Sequence, residues 1–278
     1  MKNPLINIIN FIVKPLAGKG IVDRYFPFLL HLYERVYSIL QPSGYTTVNI
    51  FNNLKLRVSN KDTHIGNLLI NKGEFEPLET AEFVNVIKKD SVVFDIGANF
   101  GYYSIIAASL ANLGKVYAFE PEPKNFEILK KNISVNNLKN VKCYNFAVGS
   151  SNRTINMSLS DEMGQHYIDL NGDLEVKCIQ LDDYIKNADF IKIDAEGFEE
   201  QILKGMPNLL SQNISLMIEY YYKLLKKHSN PISVIQILLK NNFSFFDMRN
   251  NFKLTTLDEI QDIYTESSGA TDLFCYKS

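Results

Sequence analysis

The sequence predicts an α/β protein built on a mainly parallel sheet. From residue 90 onward, apolar segments of strand length alternate with segments of helical length, the pattern of a parallel sheet covered by helices. Residues 92–119 read as strand, glycine turn, helix and strand, with Glu120 directly after them. That order makes the nucleoside-binding half of a doubly wound sheet. Asp95, Glu120, Asp194 and Glu219 each fall where a predicted parallel strand ends. Ligands of open α/β sheets bind outside those ends.

The run Val92, Val93, Phe94 and Ile96 is apolar and rich in β-branched residues, as a strand buried on both faces requires. Gly97 and Gly101 bracket a tight turn, and an apolar helix over 102–110 is closed by Asn112 and Gly114. Gly97 suits a sharp backbone turn, and Gly101 a helix start whose free N–H groups approach a ligand. The glycines are spaced Gly-x-x-x-Gly, not Gly-x-Gly-x-x-Gly, and Asp95 precedes the first. A carboxylate there repels a pyrophosphate but suits the ammonium of an amino-acid tail. Glu120, roughly twenty residues on, is placed to accept from two ribose hydroxyls. S-adenosylmethionine carries an ammonium, a sulfonium and a ribose and no phosphate. A structural turn with a capping Asp is the competing reading of this segment alone.

In chain order, residues 3–14 predict a helix with an asparagine stripe and a wide apolar face. It is too short to span a bilayer, which needs about twenty residues. Packing on the domain or a partner subunit is the expectation, which allows a homo-oligomer. A helix lying on a membrane surface is the alternative. A second helix is expected over 27–40, before Pro42 and Gly44, then a hairpin over 45–58 turning at Asn52 and Asn53. Residues 63–88 read as a loop and then a helix starting near Pro77. A helix over 123–137, a third strand over 141–146, an inserted hairpin of 154–159 with 174–179, and a short helix over 181–185 follow. Further strands are expected over 190–193 and 214–218, with helices over 198–203 and 232–239. Segments 243–248 and 273–276 close the sheet. The division expected is 1–88 as an N-terminal layer and 89–278 as the ligand-binding domain.

The 278 residues carry a net charge of −2, which gives no sign of a nucleic-acid groove. Cys143, Cys178 and Cys275 lie far apart, so neither a disulfide framework nor a zinc site is expected. No structural metal is expected, although Asp194, Glu196 and Glu219 would suit Mg²⁺ if transfer were metal-assisted. The abundance of Lys, Asn and Ile reads as coding bias. A cytoplasmic protein is expected, peripheral to membrane if residues 3–14 touch lipid.

FDIGANFGYYS, YAFEPEPKNFEIL with KKNISVNNL, FAVGS, IKIDAEGFEEQILKG and the upstream KGEFEPLE together resemble the FkbM family of S-adenosylmethionine-dependent methyltransferases. The similarity covers roughly residues 63–220. It implies the class I methyltransferase fold, Rossmann-like, and a hydroxyl acceptor on a sugar, glycolipid or other small metabolite. It also implies that Asp95, Gly97, Ala98, Asn99 and Gly101 line the methionine side, that Glu76 is among the cofactor-binding residues, that Glu120 binds ribose, and that Asn145–Ala147 lie by adenine. Asp194, Glu196 and Glu199 match the acidic motif after the fourth strand. Asn99 stands where the more general methyltransferase turn has a glycine. Asp194 or Glu196 is the first choice for a base, Asp194 also lying by the cofactor, with His166 reaching over from the insertion. An NAD- or nucleotide-sugar-dependent enzyme and a catalytically silent cofactor-binding protein are the alternatives.

Overall fold

The computed structural model describes residues 43–62, 65–159, 167–169, 171–248, 253–254, 256–259, 264–265 and 269–277. The helices expected over 3–14 and 27–40, and His166, lie outside them. Alternation at the N-terminal end gives β1 (Tyr45–Asn49) and β2 (Lys55–Ser59), an antiparallel hairpin. Its turn is a 3-10 segment, Phe51–Asn53, with Asn52 and Asn53 at φ 50° and 62°. Asparagine tolerates this left-handed conformation at little cost.

The segment expected as a loop after residue 63 instead contains α1 (Ile65–Lys72). Gly66 lies in its first turn. Here it lets the helix lie against β2, since a Cβ would stand 2.8 Å from Asp62 Cβ and 3.0 Å from the Ser59 carbonyl. Helix α2 (Pro77–Val86) has proline in its first turn, as expected.

The core then runs β3 (Val92–Ile96), α3 (Tyr102–Leu110), β4 (Lys115–Phe119), α4 (Pro123–Val135) and β5 (Val141–Tyr144). The chain leaves the sheet there. β6 (Ala147–Val148), β7 (Arg153–Ser158), β8 (Tyr167–Ile168) and β9 (Leu174–Ile179) form a second, four-stranded sheet. The expected pairing of 154–159 with 174–179 is present as β7 antiparallel to β9. After α5 (Leu181–Tyr184) come β10 (Phe190–Ile193), α6 (Glu199–Lys204), α7 (Pro207–Leu210) and β11 (Ser215–Tyr220). Helices α8 (Tyr222–His228) and α9 (Pro231–Lys240) lead to β12 (Phe243–Asp247), β13 (Lys253–Leu254) and β14 (Thr271–Lys277).

The central sheet has the order β13-β12-β14-β11-β10-β3-β4-β5. β5, β4, β3, β10 and β11 are parallel, while β14 lies antiparallel between β11 and β12. This is the class I methyltransferase sheet. Alternation sends Phe94, Ile96, Ile191, Ile193, Leu216 and Ile218 into a core under α6, α7 and α9. Val93, Phe190, Met217 and Phe274 face the opposite core, under α2, α3 and the hairpin. The order reverses between β3 and β10, which opens the ligand crevice there.

Two asparagines one helical turn apart fasten the hairpin to α4. Asn136 accepts from Lys55 N at 2.8 Å and donates to Lys55 O at 2.7 Å. Asn132, fully buried, accepts from Arg57 N at 2.7 Å and donates to the carbonyls of Arg57 and Phe100. Their amides act as a strand would, satisfying the second edge of β2.

Candidate active site

The crevice holds about 970 Å³ including its open mouth. Its floor begins at β3. Asp95 is 1% exposed, accepts from Ser104 Oγ at 2.5 Å, and is held above the usual carboxylate range by burial, with Lys192 opposing. Gly97 N and Ala98 N both donate to Phe119 O, at 3.0 and 2.9 Å, which folds the turn onto the end of β4. Gly97 has φ +81°, and a Cβ on it would stand 1.7 Å from the Asp194 carbonyl oxygen. Only glycine fits where these strands approach. Asn99, at φ 50°, takes the left-handed position of the turn.

Glu120 closes the far side of the turn. Its Oε2 accepts from Asn99 N at 2.7 Å and its Oε1 from Glu122 N at 2.9 Å. Burial pushes its carboxyl up to about 8, although both N–H groups favour the anion. Each oxygen has a lone pair left. Phe146 and Ala147, where the chain leaves the central sheet, line the crevice beside Pro121.

Asp194 and Glu196 line the opposite wall, beyond β10. Glu196 has φ 50° and a carboxyl pushed up to about 8, by burial first and then by the charges of Asp194 and Glu199. Glu199 is 1% exposed and accepts from Ala195 N and Gly197 N, so it ties the loop carrying Glu196 to α6. Burial holds its carboxyl at about 7. Among the described residues, no three acidic, His or Cys side chains converge as a metal site would require.

The crevice therefore gathers Asp95, Gly97, Ala98, Asn99, Glu120, Ala147, Asp194 and Glu196. Three expected residues stand behind it. Gly101 has φ +93°, a conformation that favours glycine, and a Cβ on it would also stand 2.5 Å from Leu129 Cδ1. Asn145 donates to the carbonyls of Glu120 and Pro121, both at 2.8 Å, and braces the loop after β4. Glu76 lies behind Tyr103, whose hydroxyl donates to Glu76 Oε2 at 2.7 Å. Its own carboxyl is raised to about 7, chiefly by burial.

Lys192, Tyr103 and Phe75 also line the crevice, and sequence reasoning passed over them. The signal for Lys192 was present: a single cation in a strand, Phe190–Ile193, that is otherwise apolar and buried throughout.

Residues 95–245 match the family described as methyltransferase FkbM domain. Over 138 residues the chain is 31% identical to the hexuronic acid methyltransferase AglP of Haloferax volcanii, covering 47% of this chain and 56% of that protein. It is 20% identical over 146 residues to methyltransferase 1 of Beauveria bassiana, covering 42% and 59%. The chain thus spans less than two thirds of the length of these curated relatives. Among solved structures, TYW2 of P. horikoshii in complex with MeSAdo aligns at 15% identity over 98% of this chain and 100% of that chain, with a TM-score of 0.45.

Proposed function

This chain belongs to the FkbM methyltransferase domain family, and we propose that it transfers the methyl group of S-adenosylmethionine to a hydroxyl of a sugar, glycolipid or related small metabolite. The observation that carries this reading is the paired acid arrangement around one glycine turn. Buried Asp95 lies under the turn, and buried Glu120, held by two backbone N–H groups, lies at its far side. The residues fit the cofactor. Glu120 keeps lone pairs for two ribose hydroxyls, Asp95 suits an ammonium, and Phe146 offers an apolar surface to a purine. The sugar acceptor is supported by the name of the Haloferax relative alone. Residues 1–88 as an N-terminal layer and 89–278 as the catalytic domain belong to the same proposal.

When bound, S-adenosylmethionine supplies a methyl already activated as a sulfonium. The chain's own work is orientation and proton handling. Glu120 and Asp95 would hold the ribose and the ammonium of the cofactor, and Tyr103 and Phe75 wall the crevice. Asp194 or Glu196 would accept the proton of the acceptor hydroxyl at a carboxylate oxygen as the acceptor's own oxygen gains the methyl. A carboxyl raised to about 8, as in Glu196, binds a proton near neutral pH where an ordinary one would not.

Calorimetry tests the cofactor. S-adenosylhomocysteine should bind at micromolar strength, roughly −8 kcal/mol, and NADH weakly. Tight NADH binding with no S-adenosylhomocysteine signal overturns the reading. Labelled methyl transfer into fractionated extract of the source cells then identifies the acceptor.

A further inference from the structure

Lys192 is 2% exposed, in the middle of the central sheet. Burying an ammonium is costly, and well-packed apolar residues often replace a buried ion pair with no loss of stability. Its three neighbours on β10 are the apolar Phe190, Ile191 and Ile193. Packing alone therefore does not account for a lysine at this position.

Its surroundings fix it on three sides. The Nζ donates to Asp194 Oδ2 at 2.9 Å. It sits 4.7 Å from the centre of the Tyr103 ring, over the face. Tyr103 is itself held by the hydrogen bond to Glu76 Oε2. On the next strand, Lys192 stands in register with Asp95. Asp272 at the start of β14 is close enough to act on the charge of Lys192. Burial disfavours the ammonium, yet Asp194, Asp95, Glu76 and Asp272 together outweigh it and hold Lys192 charged. Asp194, by contrast, is one-third exposed and lies at the crevice wall.

We infer that Lys192 is a positioning residue for methyl transfer: by holding Asp194 Oδ2 from below, it turns Oδ1 of the same carboxylate toward the acceptor hydroxyl. The inference rests on the proposed methyl transfer from S-adenosylmethionine. Tyr103 and Glu76 prevent the lysine from swinging away, so helices α2 and α3 contribute to the geometry of the acid without touching the acceptor. Misplacing a catalytic group by about 1 Å costs on the order of a hundredfold in rate.

The experiment is a double-mutant cycle on the full chain with Lys192→Met, Asp194→Asn and the pair, with Lys192→Arg as the charge-preserving variant. S-adenosylhomocysteine affinity is read by calorimetry, and methyl transfer from labelled S-adenosylmethionine into source-cell extract is read as kcat, KM and their pH profiles. Lys192→Met should lower kcat about tenfold to a hundredfold, leave S-adenosylhomocysteine affinity within several-fold, and shift the acid limb of the kcat profile. It should add nothing to Asp194→Asn, and Lys192→Arg should recover part of the rate. Multiplicative losses in the double variant, or wild-type kcat in Lys192→Met, overturn the inference while leaving methyl transfer standing. If Lys192→Met fails to fold, Lys192→Arg decides: an unchanged acid limb and rate together with Asp194→Asn at wild-type rate overturn it. A wild-type chain that binds no S-adenosylhomocysteine and labels no fraction overturns the functional reading, and the inference with it.

Discussion

Glu120→Ala is the most informative single change at the cofactor end. From the sequence alone it should weaken cofactor binding and leave the fold intact. The structure adds a cost, because the carboxylate also receives the N–H groups of Asn99 and Glu122. Glu120 is 5% exposed, so truncation leaves both donors largely without water to replace it. An unsatisfied buried donor costs about 1–3 kcal/mol, giving about 2–6 kcal/mol for the pair. In a chain of this size that is a fall in Tm of at least about 4 °C. Asn99 is held in a left-handed conformation, so the turn beneath the ligand loosens as well. Two ribose hydroxyls lose their acceptor, worth about 0.5–1.5 kcal/mol each for a neutral carboxyl and up to about 3 for a carboxylate. The expected result is a folded variant with a lower Tm and S-adenosylhomocysteine affinity reduced at least tenfold. Calorimetry on protein shown to be folded by circular dichroism makes the measurement. Wild-type affinity in a folded Glu120→Ala chain would falsify the ribose assignment, and an unchanged Tm would mean the two N–H groups find other partners.

Asp194→Asn or Glu196→Gln should keep S-adenosylhomocysteine binding within several-fold and lower kcat at least about a hundredfold, the range for loss of a general base. Turnover at wild-type rate in both variants moves the base elsewhere. The raised carboxyls set a pH dependence. Glu120 and Glu196 at about 8, and Glu76 and Glu199 at about 7, bind protons in the folded chain that the unfolded chain has released. Their contribution is complete below about pH 4.5 and is lost as pH rises through 7 to 8, so the ligand-free Tm should fall between pH 6 and pH 9. A melting series with a flat or rising Tm rejects those shifts. Asn132→Ala leaves Arg57 N and two carbonyls without their amide, so stability should drop by about 2–4 kcal/mol. Denaturant unfolding with an unchanged midpoint would show that β2 does not depend on it.

The strand–turn–helix–strand–acid order was legible because each part has a local signature. Gly97 marks a contact no side chain survives, and Val92–Ile96 is apolar enough to be buried on both faces. Roles set by distant residues were less legible. Residues 65–72 read as loop in the sequence, and the contact that suits Gly66 to its helix, with the Ser59 carbonyl, belongs to another element. The asparagines looked like coding bias, yet Asn132, Asn136 and Asn145 each close backbone groups that no strand or helix satisfies. Asn145 was expected at the adenine. Its amide nitrogen donates to the carbonyls of Glu120 and Pro121, and its neighbours Phe146 and Ala147 line the crevice.

The charge arrangement also bears on how the reaction balances. Alternation places Asp95, Lys192, Glu219 and Asp272 on one face of the sheet, at the end where the crevice opens. One ammonium stands among these acids, with Glu76, Asp194 and Glu196 close by. Glu219 and Asp272 are held well above the carboxylate range, burial being the first cause and neighbouring acids the second. Such a site has an unmet preference for positive charge, which a sulfonium and an ammonium satisfy together. On the proposed transfer the sulfonium charge would disappear, and the acceptor's proton would enter the same group of carboxylates. The positive charge gained by the acids equals the one lost from sulfur, so the site need not lose a proton to solvent while the methyl moves. The product is then held by one ligand charge fewer. Affinity for S-adenosylmethionine relative to S-adenosylhomocysteine should therefore rise with pH from 6 to 9, as more of the carboxyls ionise and favour the cation. Calorimetry with both ligands across that range measures the ratio, and a ratio that stays flat would mean that the acids are already fully charged at pH 6 or lie out of reach of the sulfonium, while one that falls would overturn the charge argument.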